Sequence, residues 1–380
     1  MKLKVGIIFG GFSREREISF AGGRTVFDNL NKSLFEAIPV FVDSFGNFVL
    51  LDWHFIYKGS IRDFYPHVSS IPPSNGNFQI YSESLGELNI KEQEELINKI
   101  GKKILVSELP ELIDFAFLCL HGPYGEDGRI QGLLEYIGIP YSGSGILSSA
   151  IGINKSVQKH LMKEAGFDGP SFLTLKKNEW KSENSNEVIN TIQKNIGFPC
   201  VIKPAHQGSS IGVSIVSNDS KTDIVKAINQ AFFIRELSSE EWVSMDQASK
   251  ISFLRTLSDI REGLGMPVLM TVNGQTEKVF HPDELQKKIK TVFINGNDKI
   301  FLEGCDGENE ILIEQFIEGK EFSCIVIRNE DNRPVALPPT EIRKGKELFD
   351  YRSKYLPGLS RKITPIELPY EKYSANKKRV

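Results

Sequence analysis

The chain opens on a near-continuous apolar run, Leu3 to Phe9, that ends in the pair Gly10-Gly11. An apolar run without alternation is the pattern of a parallel strand buried on both faces. A polar loop, GGFSRERE, comes next, then a helix over Ile18 to Leu30 and a second apolar strand, FEAIPVFV. Open parallel sheets carry their ligands at the carboxyl ends of the strands, so the Gly10-Gly11 loop is expected at the edge of a site. Patterning lapses from about Phe45 to Ser107 and resumes in DFAFLCL, Asp114 to Leu120, which runs straight into the glycine-rich loop HGPYGEDG. Ile130, Leu133, Leu134 and Ile137 then recur at helical spacing, closed by Gly138 and Pro140. Residues 1–144 therefore read as an α/β domain built on an open parallel sheet.

Ser142-Gly143-Ser144-Gly145 is the most flexible composition between two patterned regions and marks a boundary. Past it, Val157, Leu161 and Ala165 stripe a helix that opens at Asn154-Lys155 and closes at Gly166. The strands SFLTL, PCVIKP, IGVSIV, ILIEQFI, EFSCIVI and PVALP are short, antiparallel in style and separated by few helices, which predicts an α+β architecture. From about Ile234 to Glu310 the pattern weakens, with WVSMDQASKISFLRTL and HPDELQKKIKTVF as helices around a strand-like PVLMTV. That segment reads as an inserted subdomain that pads or covers the central lobe. The layout is thus 1–144, then 145–314 carrying the insertion, then 315–380.

Composition narrows the function classes. At 380 residues the chain is too long for one core, and a net charge of -3 gives no electrostatic reason to expect nucleic acid. No apolar run approaches the roughly 20 residues of a membrane helix. The N-terminus lacks a signal-peptide cleavage pattern, so a cytoplasmic chain without membrane partners is expected. Cys119, Cys200, Cys305 and Cys324 are widely spaced with no CxxC pair, and are expected as buried reduced thiols.

The chemistry concentrates in PCVIKPAHQGSSIGVSIV, Pro199 to Val216. An apolar strand ends on Lys203, and Pro204, having no amide proton, is expected to stop the pairing. Gln207 to Gly212 form a turn in which Gly208 and Gly212 permit unusual dihedrals, neighbouring amides point at one anion, and the hydroxyls of Ser209 and Ser210 stand beside them. A lysine facing such a loop suits a polyphosphate. The Walker pattern GxxxxGK[ST] is absent, and GSGILS fails as a dinucleotide fingerprint because Ser148 stands where the third glycine belongs.

With Lys155, Lys203, the Gly-Ser-Ser loop and ILIEQFIEGKEF in one order, the chain resembles the ATP-grasp ligases, and most closely the D-alanine–D-alanine ligase family. The resemblance runs through FGGFSREREIS, LHGPYGEDGRIQGLLEYIGIPYSGSG, NKSVQKHLMKEAGF, VIKPAHQGSSIGVS, ALPPTEI and FDYRSKYLPG. It implies ATP-grasp lobes after the α/β domain and a two-step reaction with ATP and Mg2+. One D-alanine carboxylate is phosphorylated, and the amine of a second attacks the acyl phosphate. By the same resemblance Lys155, Lys203, Gly208, Ser209 and Ser210 hold the phosphates, Glu314 takes the adenine amino group and Glu321 the ribose hydroxyls. Glu15 pairs with the ammonium of the first D-alanine, Glu17 being the competing choice. His121 lies near that substrate's carboxylate. Ser209 and Tyr355 complete a triad with Glu15, and Lys354 reaches the transferring phosphate from a closing lid, FDYRSKYLPG, that shields the acyl phosphate from water.

The family carries its magnesium ligands in a later segment, whereas this chain ends in Lys377-Lys378-Arg379-Val380. A truncated last lobe with metal ligands beyond Val380 is therefore expected, and no metal ligand is assigned within the chain. The resemblance also implies a homodimer. The competing readings are an ATP-grasp ligase with another acceptor, such as a 2-hydroxy acid, and a catalytically inactive nucleotide-binding fragment.

Overall fold

A computed structural model describes residues 2–180, 185–344 and 360–367. Two units emerge, Met1–Gln315 and Phe316–Val380.

The first unit begins with β1 (Leu3–Gly10), α1 (Arg16–Asn29), β2 (Phe35–Val42), β3 (Phe48–Leu51), α2 (Ile90–Ile97), β4 (Gly101–Ile104), α3 (Leu109–Leu112), β5 (Phe115–Leu118) and α4 (Arg129–Tyr136). Its sheet runs β4-β3-β2-β1-β5. β1 is parallel to β2 and β5, with Gly10 beside Val42 at the carboxyl end. On one face Val5, Ile7 and Phe9 pack with Phe20, Phe41 and Ile97. On the other, Ile8 packs with Val40, Ile113 and Leu134. Double burial is what the unalternating apolar run encodes. The sheet is parallel at its centre only, because β3 pairs antiparallel with both β2 and β4. These two strands fall in the stretch read as unpatterned, since four residues each, with Lys102 and Lys103 in β4, are too short to show a period.

Next come α5 (Ile146–Ile153), α6 (Lys155–Glu164), β6 (Phe172–Lys176), α7 (Ser185–Asn195), β7 (Cys200–Pro204), β8 (Ser214–Val216) and α8 (Lys221–Phe232). The Asn154 side chain accepts from the Val157 amide and so starts α6 at Lys155. β6, β7 and β8 form a four-stranded antiparallel sheet, β6-β13-β7-β8, with β13 (Glu310–Gln315) from beyond the insertion. Ile189 and Ile192 of α7 and Ile224 and Ile228 of α8 bury its Cys200, Ile202, Ile311 and Ile313. Pro204 does not stop the pairing: it lies opposite Ile311, and the next amide, Ala205, donates to Glu310 O at 3.0 Å. Amides alternate sides along a strand, so the one Pro204 lacks would face β8, whose pairing ends at Ile202.

The insertion folds as β9 (Ile234–Ser238), α9 (Ser239–Ser244), α10 (Gln247–Ser258), β10 (Val268–Val272), β11 (Gln275–Val279), α11 (Pro282–Ile294) and β12 (Lys299–Gly304). Its strands make a separate antiparallel sheet, β11-β10-β12-β9. β11 escapes sequence reading because only Val279 of its five residues is buried. Nor does the segment merely pad the central lobe. Ile260 enters the core beneath β1, Arg255 Nη2 donates to Gly76 O at 2.8 Å, and the Asn75 amide donates to Asp283 Oδ2 at 3.0 Å.

The second unit contains β14 (Glu321–Ser323), β15 (Val326–Arg328), β16 (Pro334–Ala336), β17 (Thr340–Lys344) and β18 (Ser360–Ile363), paired as β14-β17-β18 and β15-β16. Not all the cysteines are buried: Cys119 and Cys200 are, Cys324 is half-buried and Cys305 is exposed. Cys305 follows β12 in the turn back to β13, where no core covers it. Burial pushes the Cys119 thiol up to about 12 and that of Cys200 up to about 11, which leaves both protonated. Among the described residues no helix is long and apolar enough to cross a membrane.

Candidate active site

The loop leaving β1 turns through Gly10 and Gly11, both at positive φ, and delivers Glu15 to the start of α1. Glu15 is 3% exposed. The Ser209 hydroxyl donates to its Oε1. Oε2 is buried with no hydrogen-bond partner among the described residues. Two glycines close on this carboxylate: a Cβ on Gly122 would fall 2.8 Å from Oε2, and one on Gly208 would overlap it more severely. Burial raises the Glu15 carboxyl above its ordinary range and Glu126 adds to the rise, while the Ser209 bond, His121 and Lys155 oppose it. An orphaned oxygen in a nearly closed niche is a receptor for a hydrogen-bonding cation. Glu17 is committed elsewhere, accepting from the Ile61 amide and the Tyr81 hydroxyl at 2.9 Å each.

His121 follows β5 at the same end of the sheet, half-buried, with Nδ1 3.9 Å from Glu126 Oε1. Glu126 also accepts from the Gly122 amide at 2.7 Å and so shapes the loop beside Glu15.

In the Gly-Ser-Ser turn the left-handed conformation belongs to Ser209 (φ 49°), Ser210 (φ 60°) and Gly212 (φ 72°), and Gly208 does not take it. Two serines in this region store about 1–3 kcal/mol each, a strain characteristic of sites the surroundings over-determine. Gly208 is needed for space alone. Gly208→Ala is expected to push the Glu15 carboxylate off Ser209 and cost about 1–3 kcal/mol in urea unfolding, the range for a forced overlap. Unchanged stability would mean the niche has room to spare.

Lys155 Nζ donates to Gln207 O at 2.5 Å and approaches Ala205 O at 3.5 Å, so the first residue of α6 is tied to the chain entering the turn. The lysine expected to face the turn, Lys203, instead forms an ion pair with Glu314 Oε1, while Lys159 Nζ lies 2.6 Å from Oε2. Lys203 on β7 and Glu314 on β13 stand on adjacent strands, Glu314 lying opposite Val201. Burial opposes ionisation of Glu314, but Lys203 and then Lys159 outweigh it and hold the carboxyl below its usual range. Two lysines, one of them at the end of β7, thus share one carboxylate on β13. Lys159 was not singled out in the sequence, although its i,i+4 spacing from Lys155 on one helix is the signal that finds it.

The structure thus brings together Glu15, Ser209, Gly208, Ser210, His121 and Lys155 on one side, and Lys203 with Glu314 on the other. Glu321 lies in the second unit at the start of β14. Lys354 and Tyr355, with the rest of the expected lid, lie outside the described residues. Among the described residues no three His, Cys, Asp or Glu side chains converge as a ligand set for a metal ion.

A family model described as the D-ala D-ala ligase N-terminus matches residues 4–144. Its counterpart for the C-terminus matches 161–250 and 296–379, leaving 251–295, inside the insertion, unmatched. The D-alanine–D-alanine ligase of Geobacillus thermodenitrificans is 26% identical over 378 residues, 99% of this chain and 77% of the relative. That of Caldicellulosiruptor bescii is 28% identical over 370 residues, 97% of this chain and 75% of the relative. The chain spans about three quarters of the length of these relatives. Among solved structures, the VanG D-Ala:D-Ser ligase of Enterococcus faecalis aligns with a TM-score of 0.56 at 22% identity, covering 100% of this chain and 80% of the other. The D-alanyl-alanine synthetase A of Vibrio cholerae aligns with a TM-score of 0.54 at 19% identity, covering 100% and 78%.

Proposed function

The chain belongs to the D-alanine–D-alanine ligase family, and from that premise we propose that it joins two D-alanines at the expense of ATP, for peptidoglycan precursor synthesis. The observation that carries the reading is the Glu15 niche. A buried carboxylate with one oxygen on Ser209 and the other unpartnered accepts an ammonium, and Ser209 belongs to the turn that Lys155 also holds. The amino-acid site and the phosphate site therefore share one loop, so a D-alanine seated on Glu15 presents its carboxylate toward a nucleotide held nearby.

Each residue then has a task. Glu15, oriented by Ser209, holds the first substrate's ammonium, and His121 stands by for its carboxylate. Lys155, Lys203 and the turn at Gly208 to Ser210 neutralise phosphate charge, so that positioning and electrostatics do most of the catalysis. Glu314 gives up its lysines on nucleotide binding and accepts from the adenine amino group. Glu321 takes the ribose, and Lys354 and Tyr355 complete the closed site. Mg2+ would serve this family's reaction by neutralising the transferring phosphate, but the described residues supply no ligand set for it. A cytoplasmic homodimer belongs to the same proposal, and light scattering checks the dimer.

The test is phosphate release by the purified 380-residue chain with ATP and Mg2+, against a panel of D-alanine, D-lactate and L-alanine. D-alanine-dependent release with formation of the dipeptide is the expected result. Release that needs a hydroxy acid would move the acceptor class. Binding of ATP with no acceptor-dependent release would favour the inactive nucleotide-binding reading.

A further inference from the structure

Arg14 stands immediately before Glu15 in the chain and is 1% exposed. Its Nη1 donates to the carbonyls of Ile260 (2.9 Å) and Gly263 (3.0 Å). Its Nη2 donates to Leu264 O (2.9 Å) and to Asp306 Oδ1 (2.5 Å). The guanidinium carbon lies 3.8 Å from the centroid of the Phe233 ring. Every one of these partners comes from the inserted segment or its two joints: Phe233 where it leaves α8, residues 260–264 between α10 and β10, and Asp306 where it returns after β12.

An arginine spent only on attaching a surface subdomain would not need this. Burying a guanidinium costs several kcal/mol unless nearly all its donors are met, and here three backbone carbonyls converge on it from one turn. What distinguishes Arg14 is its neighbour. The Glu15 carbonyl is fixed from the helix side, accepting from the amides of Ile18 (2.9 Å) and Ser19 (3.0 Å). On the loop side the Glu15 amide donates to Ser13 Oγ at 3.1 Å, Arg16 ties the loop to its own helix through Ser13 O (3.0 Å) and Phe12 O (2.7 Å), and the Arg14 side chain ties it to the inserted segment. The Gly122 and Gly208 backbones lie so near the carboxylate that a Cβ on either would overlap it, so the path of the Ser13–Glu15 loop decides where the carboxylate stands against Ser209. A cavity of about 820 Å3 behind Phe233, Gly263 and Leu264 gives the 261–264 segment room to move once its hold on Arg14 is lost.

We propose that Arg14 is a positioning residue for the first-substrate subsite, and that through it the inserted segment sets where the Glu15 carboxylate stands. The identity of the ligand, D-alanine, rests on the ligase reading; the link from the insertion through Arg14 to Glu15 does not. The insertion is then a wall of the amino-acid site, built far from it in sequence.

The experiment compares Arg14→Met, Arg14→Lys and Asp306→Asn with the parent 380-residue chain. Calorimetric affinities for D-alanine and for a non-hydrolysable ATP analogue are read alongside amide exchange at Ile18 and Ser19. Arg14→Met is expected to weaken D-alanine binding by about tenfold or more, the loss of one to two charge-assisted bonds' worth of positioning. The analogue should stay within about twofold, since of its proposed ligands only Ser209 touches Glu15, while Lys155 and Lys203 are held by Gln207 and Glu314. Arg14→Lys should recover part of the loss, and Asp306→Asn, at a residue whose side chain is 49% exposed, should show the same selectivity on a smaller scale. A parallel fall in both affinities, or no change in either, overturns the proposal. If Arg14→Met fails to fold, Asp306→Asn decides alone on the same criteria. If the parent binds neither ligand, the ligase reading fails, and the proposal stands or falls on exchange: faster exchange at Ile18 and Ser19 in Asp306→Asn supports it, and unchanged protection overturns it.

Discussion

Lys203→Ala is expected to weaken ATP binding by about 1.5–3 kcal/mol, the range for one lost hydrogen bond to a charged group. The structure sharpens this expectation, because Lys203 is held by Glu314 before any nucleotide arrives. Removing the lysine leaves a buried carboxylate with Lys159 as its counter-charge, so the variant loses a phosphate ligand and also a constraint on the carboxylate that is to meet the adenine. A second readout separates these effects. Glu314 ionises below the usual carboxylate value of 4.5 because Lys203 and Lys159 outweigh its burial. A carboxyl depressed in the folded state contributes stability that is present above its unfolded value and is lost as pH falls through the folded one. Urea unfolding of the parent should therefore weaken as pH drops below about 4.5, and the slope should flatten in Lys203→Ala. Calorimetry showing unchanged ATP affinity would remove Lys203 from the site, and an unchanged acid slope would remove it from the pair.

The parts of this molecule legible in its sequence are those in which one strand or one loop carries the whole signal. β1 announces itself because burial on both faces removes alternation, and Gly10-Gly11 marks its ligand end. The turn at Gln207 to Gly212 is visible for the same local reason, although sequence assigns its strain to the wrong residues. Serines at 209 and 210 hold the left-handed positions, while Gly208 is there because Glu15 leaves no space for a side chain. That distinction needs the partner 193 positions upstream, and no local pattern holds it. The same limit hides Lys159, whose carboxylate lies on a strand beyond the insertion, and Arg14, which reads as one more charge in SRERE yet is among the most buried side chains of the chain. In each case the missing information is a contact between segments far apart in sequence, which propensity and periodicity do not encode.

Glu15→Gln should have the largest effect on the amino-acid site and the opposite effect on the empty protein. Without ligand, the Glu15 carboxylate is buried with one oxygen unpartnered, a state that costs on the order of 1–3 kcal/mol. Glutamine keeps an acceptor for Ser209 and removes the charge, so the variant should resist urea better at neutral pH while losing D-alanine binding by a factor of about 100 or more, the worth of a desolvated ion pair broken on one side. The pH dependence follows from burial, which raises the Glu15 carboxyl above 4.5. A raised value in the folded state means that this group favours folding fully at pH below the unfolded value, and that its contribution is lost as pH rises through the folded one. D-alanine's ammonium needs the ionised form, so its affinity should rise through that same window, and within it binding should release protons. Calorimetry in two buffers of different ionisation enthalpy measures that release directly. Proton release in the parent and none in Glu15→Gln would place the ammonium on Glu15. A glutamine variant that binds D-alanine as the parent does would leave the Glu15–Ser209 bond a structural tie between two loops, and the substrate would have to be sought elsewhere.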